Sequence, residues 1–175
     1  MIIRPAVSDD GPAVAAVRVA SWRAVYRGIV PDSFLEKMDS NEAHWCKVAA
    51  GAEPGTGLLV CEVDGRVAGF ACFGSARPPH FEFSGELYAT YFLPEMIGKG
   101  YGAAIVLDAM AGLKSLGHDD MMLWVNENNL RARRFYASFG GVMIANSRQS
   151  FEIDEATIWE VAYGFRPLPA TAAKL

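Results

Sequence analysis

The sequence predicts a single α+β domain, with helices flanking a mixed, mainly antiparallel central sheet. Three observations carry this reading. Leu58–Val63 and Val67–Phe73 are apolar, strand-like runs joined by Asp64-Gly65, a strong short hairpin signal. Strand-like and helical runs then alternate, as Glu86–Leu93, Ala103–Leu116, Met121–Val125 and Leu130–Phe139. Finally, 175 residues that are 51% hydrophobic and 21% charged suffice for one self-sufficient core.

Taken in order, Ile2–Arg4 is a short strand closed by Pro5. Ser8-Asp9-Asp10 offers helix caps and Pro12 suits a first helical turn. Val14, Val17, Ala20 and Ala24 then recur at helical spacing as far as Tyr26, and Gly28 stops the helix. Pro31 opens a second helical region carrying Phe34, Leu35, Met38, Trp45 and Val48. Gly51–Gly57 is a loop before the hairpin; Ser75–His80, with Pro78-Pro79, is another after it. Glu86–Leu93 is a longer strand ended by Pro94. The helix Ala103–Leu116 stops at Gly117, and Met121–Val125 reads as a buried strand. Asn128 or Asn129 caps the helix Leu130–Phe139, which Gly140-Gly141 terminates. Val142–Ile144 and Thr157–Tyr163 are closing strands. The domain is expected to span residues 1–165, with residues 166–175 a loose tail.

Composition narrows the function. Sixteen basic and twenty acidic residues leave a net charge of −4, without the basic excess of a nucleic-acid binder, so no nucleic-acid partner is expected. Cys46, Cys61 and Cys72 are odd in number and form no C-x-x-C pair. Cys61 and Cys72 lie in apolar strand runs, where a free thiol serves as core filler. His44, His80 and His118 show no metal-ligand spacing, so no metal is expected. The N-terminal MIIRPAVSDD lacks the apolar region of a signal peptide, and no apolar run reaches membrane-spanning length. A cytoplasmic location, with no membrane partner, is the expectation.

The stretch that carries chemistry is Gly98-Lys99-Gly100-Tyr101-Gly102, between a strand and an apolar helix. Glycines let a ligand approach the backbone, the turn aims N–H groups outward, and the helix N-terminus adds about half a positive charge. Such a pocket suits a pyrophosphate; the plainer alternative is a tight turn whose glycines serve packing alone. Gly98, Gly100 and Ala103 also satisfy the dinucleotide fingerprint G-x-G-x-x-G/A, with Glu127 placed as a ribose-binding acid. Against that, the glycines follow a long antiparallel run, and too little chain remains for a second doubly wound half. The P-loop pattern G-x-x-x-x-G-K-[ST] is absent.

Pro94-Glu95-Met96-Ile97-Gly98-Lys99-Gly100-Tyr101-Gly102 resembles the Q/R-x-x-G-x-G/A signature of the GCN5-related N-acetyltransferases, the GNAT superfamily. The family's second signature follows in order: Val125-Asn126-Glu127-Asn128-Asn129-Leu130-Arg131-Ala132, then Phe135-Tyr136 and Phe139-Gly140. With the matching element order, the likeness covers essentially the whole chain. It departs at Ile97, where the family has Gln or Arg, and at Gly140-Gly141, where it has Gly-Phe. Ile97 removes a polar side chain and keeps a backbone N–H.

The resemblance implies the acyl-CoA N-acyltransferase fold, with Glu86–Leu93 and Met121–Val125 as a splayed parallel pair and acetyl-CoA as cosubstrate between them. The backbone of Tyr91, Phe92 and Leu93 would pair with the pantetheine arm. Backbone groups of Ile97, Gly98, Lys99, Gly100, Tyr101, Gly102 and Ala103 would hold the pyrophosphate. A backbone N–H near Phe92 is the candidate for polarising the thioester carbonyl. Asn129 matches an asparagine that contacts the cofactor; its plain alternative is a helix cap. Tyr136 matches the general-acid tyrosine, or else is one aromatic of a buried cluster with Phe135 and Phe139. Glu86 stands where some members carry a general-base glutamate; a solvated carboxylate is the alternative, and the neighbouring Glu82 is a substitute. Arg131, Arg133 and Arg134 read as a solvated face, with a contact to the cofactor's 3′-phosphate as the alternative.

Ser21–Gly28 resembles an S-W-R-x-x-Y-x-G stretch common in small bacterial acetyltransferases. Its Trp22 and Tyr26 share one helical face and either line the acceptor pocket or staple the helix to the sheet. The resulting expectation is an N-acetyltransferase acting on a primary amine of a small molecule or peptide, by direct attack in a ternary complex. A non-catalytic acyl-CoA-binding module and a dinucleotide-binding oxidoreductase are the alternatives. An exposed edge strand and apolar C-terminal strands are compatible with a homodimer.

Overall fold

The computed structural model describes residues 1–169. Its elements are β1 (Ile2–Pro5), α1 (Gly11–Val25), α2 (Asp32–Lys37), α3 (Glu42–Ala49), β2 (Thr56–Val63), β3 (Arg66–Ser75) and β4 (Gly85–Phe92). There follow α4 (Tyr101–Ser115), β5 (Met121–Asn126), α5 (Leu130–Ser138), β6 (Val142–Met143), β7 (Gln149–Ile153) and β8 (Ala156–Phe165). The strands lie in the order β1-β2-β3-β4-β5-β8-β6, and β7 also pairs with β8.

Strand periodicity dictates the layers. On β2 and β3, Leu58, Val60, Phe70 and Cys72 face one side, while Cys61, Val63, Ala71 and Phe73 face the other. Successive strand side chains point to opposite faces, so strands apolar on both need helices on both. Val14 and Val17 of α1 and Trp45 and Val48 of α3 cover the first face. Ile105, Val106, Ala109 and Leu113 of α4 cover the second.

One parallel contact shapes the centre of the sheet. Among the described residues, every strand pairing is antiparallel except β4 with β5, which pair only at Gly85↔Met121 and Glu86↔Met122. Beyond Glu86 the two strands separate. β4 also carries a bulge: Cys72 opposes Ala89 while Phe73 opposes Leu87, so Tyr88 is the extra residue. A bulge bends its strand and re-aims the side chains beside it.

Several expectations change. The second helical region is two short helices, interrupted before Asn41, which adopts φ 53; asparagine tolerates that left-handed backbone better than most residues. α4 begins at Tyr101, ahead of the expected Ala103. β6 ends at Met143, although the Ile144 N–H still donates to Ala162 O at 2.9 Å. β7 has no counterpart among the strands expected from the sequence: only Ile153 of its residues is buried, so its pattern is that of a polar loop, and pairing to β8 alone makes it a strand. Past Phe165 the chain stays on the body, with Leu168 buried and its N–H donating to Asp119 O at 2.8 Å. Residues 170–175, the rest of the tail expected to be loose, lie outside the described residues.

Candidate active site

Where β4 and β5 part, a cleft of about 320 Å³ opens between them. Leu87, Thr90, Tyr91 and Phe92 of β4 and Leu123, Trp124 and Val125 of β5 line it. The β4 edge that faces β5 has no strand partner past Glu86. Backbone amides set in an apolar wall need hydrogen bonds, so the opening suits an extended ligand that carries amides of its own. Leu93 stands apart: its N–H donates to Ala68 O at 2.9 Å, and it does not line the cleft.

The cleft runs to the glycine turn. Gly98 and Gly100 hold φ of 89° and 85°, a backbone that costs a residue with a side chain about 1–2 kcal/mol. The Ile97 N–H donates to Pro94 O at 3.2 Å and the Ala103 N–H to Gly100 O at 3.1 Å. Among the described residues, the N–H groups from Gly98 to Gly102 make no such turn or loop bond. The set of N–H groups left without an internal bond is therefore shorter than the Ile97–Ala103 run, because both ends of that run are held internally. Ile97, Gly98, Gly100, Gly102 and Ala103 line the cleft; the side chains of Lys99 and Tyr101 do not.

α5 supplies the opposite wall. Asn129 caps it, Oδ1 accepting from the Ala132 N–H at 3.1 Å, and also lines the cleft. Arg131 is exposed, as expected, and also lines the cleft, its Nη2 3.2 Å from where a Cβ on Gly98 would lie. Its place two residues past the capping asparagine is the sequence signal available for it. Arg133 instead donates to Glu127 O at 3.0 Å. Tyr136 lines the cleft with its ring 5.0 Å from that of Phe135. Burial pushes its phenol up to about 12, so it carries its proton at neutral pH.

A second cavity, of about 190 Å³, lies beyond Tyr26, Tyr88, Tyr91 and Trp124, which line both spaces. The rings of Trp22 and Tyr26 lie 4.6 Å apart. They line this cavity and pack on Val30, Leu35, Ile153 and Ile158, joining α1 and α2 to the β7–β8 hairpin. The cavity's charged side chains are Arg77, Glu86 and Glu160.

Glu86 is neither solvated nor free. It is 1% exposed. Arg77 Nη2 donates to its Oε1 at 2.5 Å, and Arg77 Nε and N–H donate to its Oε2 at 3.2 and 2.9 Å. Glu82 is exposed and lines neither space. Glu160 is half-buried; its Oε1 accepts from Gln149 Nε2 at 2.8 Å, and burial raises its carboxyl above the usual range. Arg77 and Glu160 carry no signal in the sequence: Arg77 sits in the loop that holds Pro78-Pro79, and Glu160 in a closing strand far along the chain from the motifs it meets. Cys61 and Cys72 are buried core residues, and burial pushes the Cys72 thiol up to about 12.

A model of the acetyltransferase (GNAT) family matches residues 19–140. The chain belongs to the GNAT acetyltransferase family. Its relatives include the uncharacterized N-acetyltransferase YuaI of Bacillus subtilis (strain 168), 32% identical over 171 residues, 96% of this chain and 94% of that one. Among solved structures, the PaiA N-acetyltransferase of Thermoplasma acidophilum, in complex with coenzyme A, superposes with a TM-score of 0.70 at 20% identity, covering 94% of this chain and 98% of that one. The yncA structure of Salmonella typhimurium, with its cofactor acetyl-CoA, gives 0.72 at 23%, covering 99% and 96%.

As a GNAT member this protein is an acetyl-CoA-dependent N-acetyltransferase, and the dinucleotide-binding oxidoreductase reading falls. The sheet agrees: a two-residue parallel contact inside an antiparallel sheet is no doubly wound half. The GNAT cleft also fits its cosubstrate physically, with a bare strand edge for the pantetheine amides and outward N–H groups beside Arg131 for the pyrophosphate. No helix among the described residues is long and apolar enough to cross a membrane.

Proposed function

We propose that this GNAT enzyme acetylates a primary amine of a small molecule or a peptide, by direct attack while both substrates are bound. The observation that carries this is the junction of two cavities at Tyr26, Tyr88, Tyr91 and Trp124. One suits a long, amide-bearing, anionic cosubstrate; the other, at about 190 Å³, admits a small amine or a single peptide terminus. No cysteine lines either space, which favours direct transfer over an acyl-thiol intermediate on the protein.

The roles follow from placement. Acetyl-CoA supplies the activated acyl group. The N–H groups from Gly98 to Gly102, with Arg131, hold its pyrophosphate, while the β4 edge at Tyr91 and Phe92 fixes the pantetheine arm. A backbone N–H near Phe92 steadies the oxyanion that develops on the thioester carbonyl. Tyr136 gives its proton to the departing sulfur; with its phenol near 12 against a thiol of about 8.5 it is protonated throughout the neutral range. A carboxylate of the second cavity, Glu86 or Glu160, relieves the incoming amine of its proton.

The test begins with calorimetric titration by acetyl-CoA, NADH serving as the control ligand. Initial-rate kinetics then follow thiol release over a panel of primary amines. Intersecting double-reciprocal lines are expected. Parallel lines would refute direct attack, and binding without thiol release from any amine would point to a non-catalytic acyl-CoA-binding module.

A further inference from the structure

The two carboxylates of the second cavity are in opposite situations. Glu86 receives three donors, all from Arg77. Glu160 receives one, from Gln149 onto Oε1, and its Oε2 accepts no hydrogen bond among the described residues. An ionised carboxylate offers about four acceptor positions. Glu86 therefore has little capacity left for a substrate, and Glu160 has most of its own.

Strand register explains why Glu160 is there. On β8 it sits opposite Asn126 of β5 and Gln149 of β7. Asn126 lines the same cavity, is 7% exposed, and leaves its Nδ2 buried without a partner while Oδ1 accepts from the Asn128 N–H at 2.9 Å. A buried amide donor left unpaired beside a free carboxylate oxygen marks a polar floor that a ligand completes. Above it stand the aromatic rings shared with the acetyl-CoA cleft. The titratable and charged groups facing Glu160 are Glu86, Tyr88 and Tyr91 from β4, Arg77 from the β3–β4 loop and Tyr26 from the end of α1. β5 and β7 present only the neutral Asn126 and Gln149 to it.

We infer that Glu160 is the base of the reaction: its Oε2 binds the substrate ammonium and takes its proton, while Glu86 positions Arg77. This rests on the amine-acetylation reading above. The protons balance. The ammonium gives one proton to Glu160, which passes it to solvent. The free amine attacks the carbonyl carbon, the C–N bond forms and the C–S bond breaks, and Tyr136 protonates the departing sulfur. Tyr136 regains its proton from the newly acylated nitrogen, which keeps one as the amide N–H. The buried setting that raises Glu160 also makes it a better proton acceptor near neutrality.

The test uses the full chain with acetyl-CoA and four amines (2-phenylethylamine, tyramine, tryptamine and spermidine), recording kcat from pH 5 to 9. Glu160→Gln is expected to lower kcat by about 10²-fold or more and to abolish the acid-side limb. Gln149→Leu, which removes the bond favouring the ionised form, is expected to move that limb to higher pH; Glu86→Gln, which removes a like charge facing Glu160, is expected to keep the limb and move it to lower pH. A 13C carboxyl titration of glutamate-labelled protein is expected to show one group above the usual range that is missing in Glu160→Gln. Unchanged acetyl-CoA affinity in calorimetry verifies that Glu160→Gln folds; if it does not, the Gln149→Leu limb shift decides. A folded Glu160→Gln that keeps rate and limb overturns the inference and leaves amine acetylation standing. Turnover of none of the four amines overturns both.

Discussion

Arg77 Nη2 lies 2.5 Å from Glu86 Oε1, joining a guanidinium side chain that is 64% exposed to a carboxylate that is 2% exposed. The same guanidinium stacks over the Tyr88 ring at 4.5 Å, so the pair ties the β3–β4 loop to the bulge where the two cavities meet. Without Arg77's side chain, Glu86 would be a buried charge held by one backbone N–H. Arg77→Met is expected to cost about 2 kcal/mol, between an exposed pair and a fully buried one. Adding Glu86→Gln should recover part of that. Urea midpoints of both single variants and the double variant measure it, and additive losses would refute the coupling.

Tyr136→Phe is expected to lower kcat by about 10²-fold while the KM for acetyl-CoA changes little. The phenol, near 12 in the folded protein, is raised above its unfolded value of about 10. Its contribution to stability is thus complete below that unfolded value and is lost as pH rises through the folded one. Stopped assays to pH 10 should show no loss of activity assignable to this residue. An unchanged kcat in the variant removes Tyr136 from the chemistry.

Gly100→Ala isolates the backbone of the anion turn. A Cβ there meets nothing within 4 Å, so the penalty is the φ of 85° alone, about 1–2 kcal/mol. If the turn relaxes to escape that strain, its N–H groups swing away from the ligand. The acetyl-CoA Kd in calorimetry is expected to rise about tenfold or more, since each 1.4 kcal/mol is a factor of about ten. Retained affinity would mean that this turn does not hold the pyrophosphate.

Acid stability has an identifiable source far from the cleft. Asp10 accepts from Arg4 Nη1 and Nη2 at 2.7 and 3.0 Å and from the Val7 N–H at 2.8 Å. The Arg4 guanidinium holds this carboxyl below the usual range. A depressed carboxyl stabilises above its unfolded value, about 3.9, and that contribution is lost as pH falls through the folded value. Asp10→Asn is expected to cost about 1–2 kcal/mol at pH 7, with the gap to the parent chain closing as pH falls below about 4. Denaturant melts at pH 7 and pH 3 check this, and a pH-independent gap would contradict it.

How much of the site was legible depended on sequence distance. The glycine turn, the Asn129 cap and the Asp64-Gly65 hairpin are local, and their residue types restrict the backbone within a few positions. The second cavity has no such signature. Trp22, Arg77, Glu86 and Glu160 reach it from three elements and a loop, and nothing in the neighbours of Glu160 distinguishes it from a surface glutamate. β7 escaped for a related reason, because a mostly exposed strand leaves little hydrophobic pattern.

By itself, then, the sequence determined the layered α+β architecture, the glycine turn between a strand and an apolar helix, and the likeness to an acetyl-transferring family. Only the tertiary structure decided which carboxylate is bound by a guanidinium and which is left with a free oxygen, and that Arg131 faces the turn. Local φ/ψ preference and side-chain periodicity act over a few residues and can be read along the chain. Ion pairing, burial and the divergence of β4 from β5 arise between residues that only folding brings together.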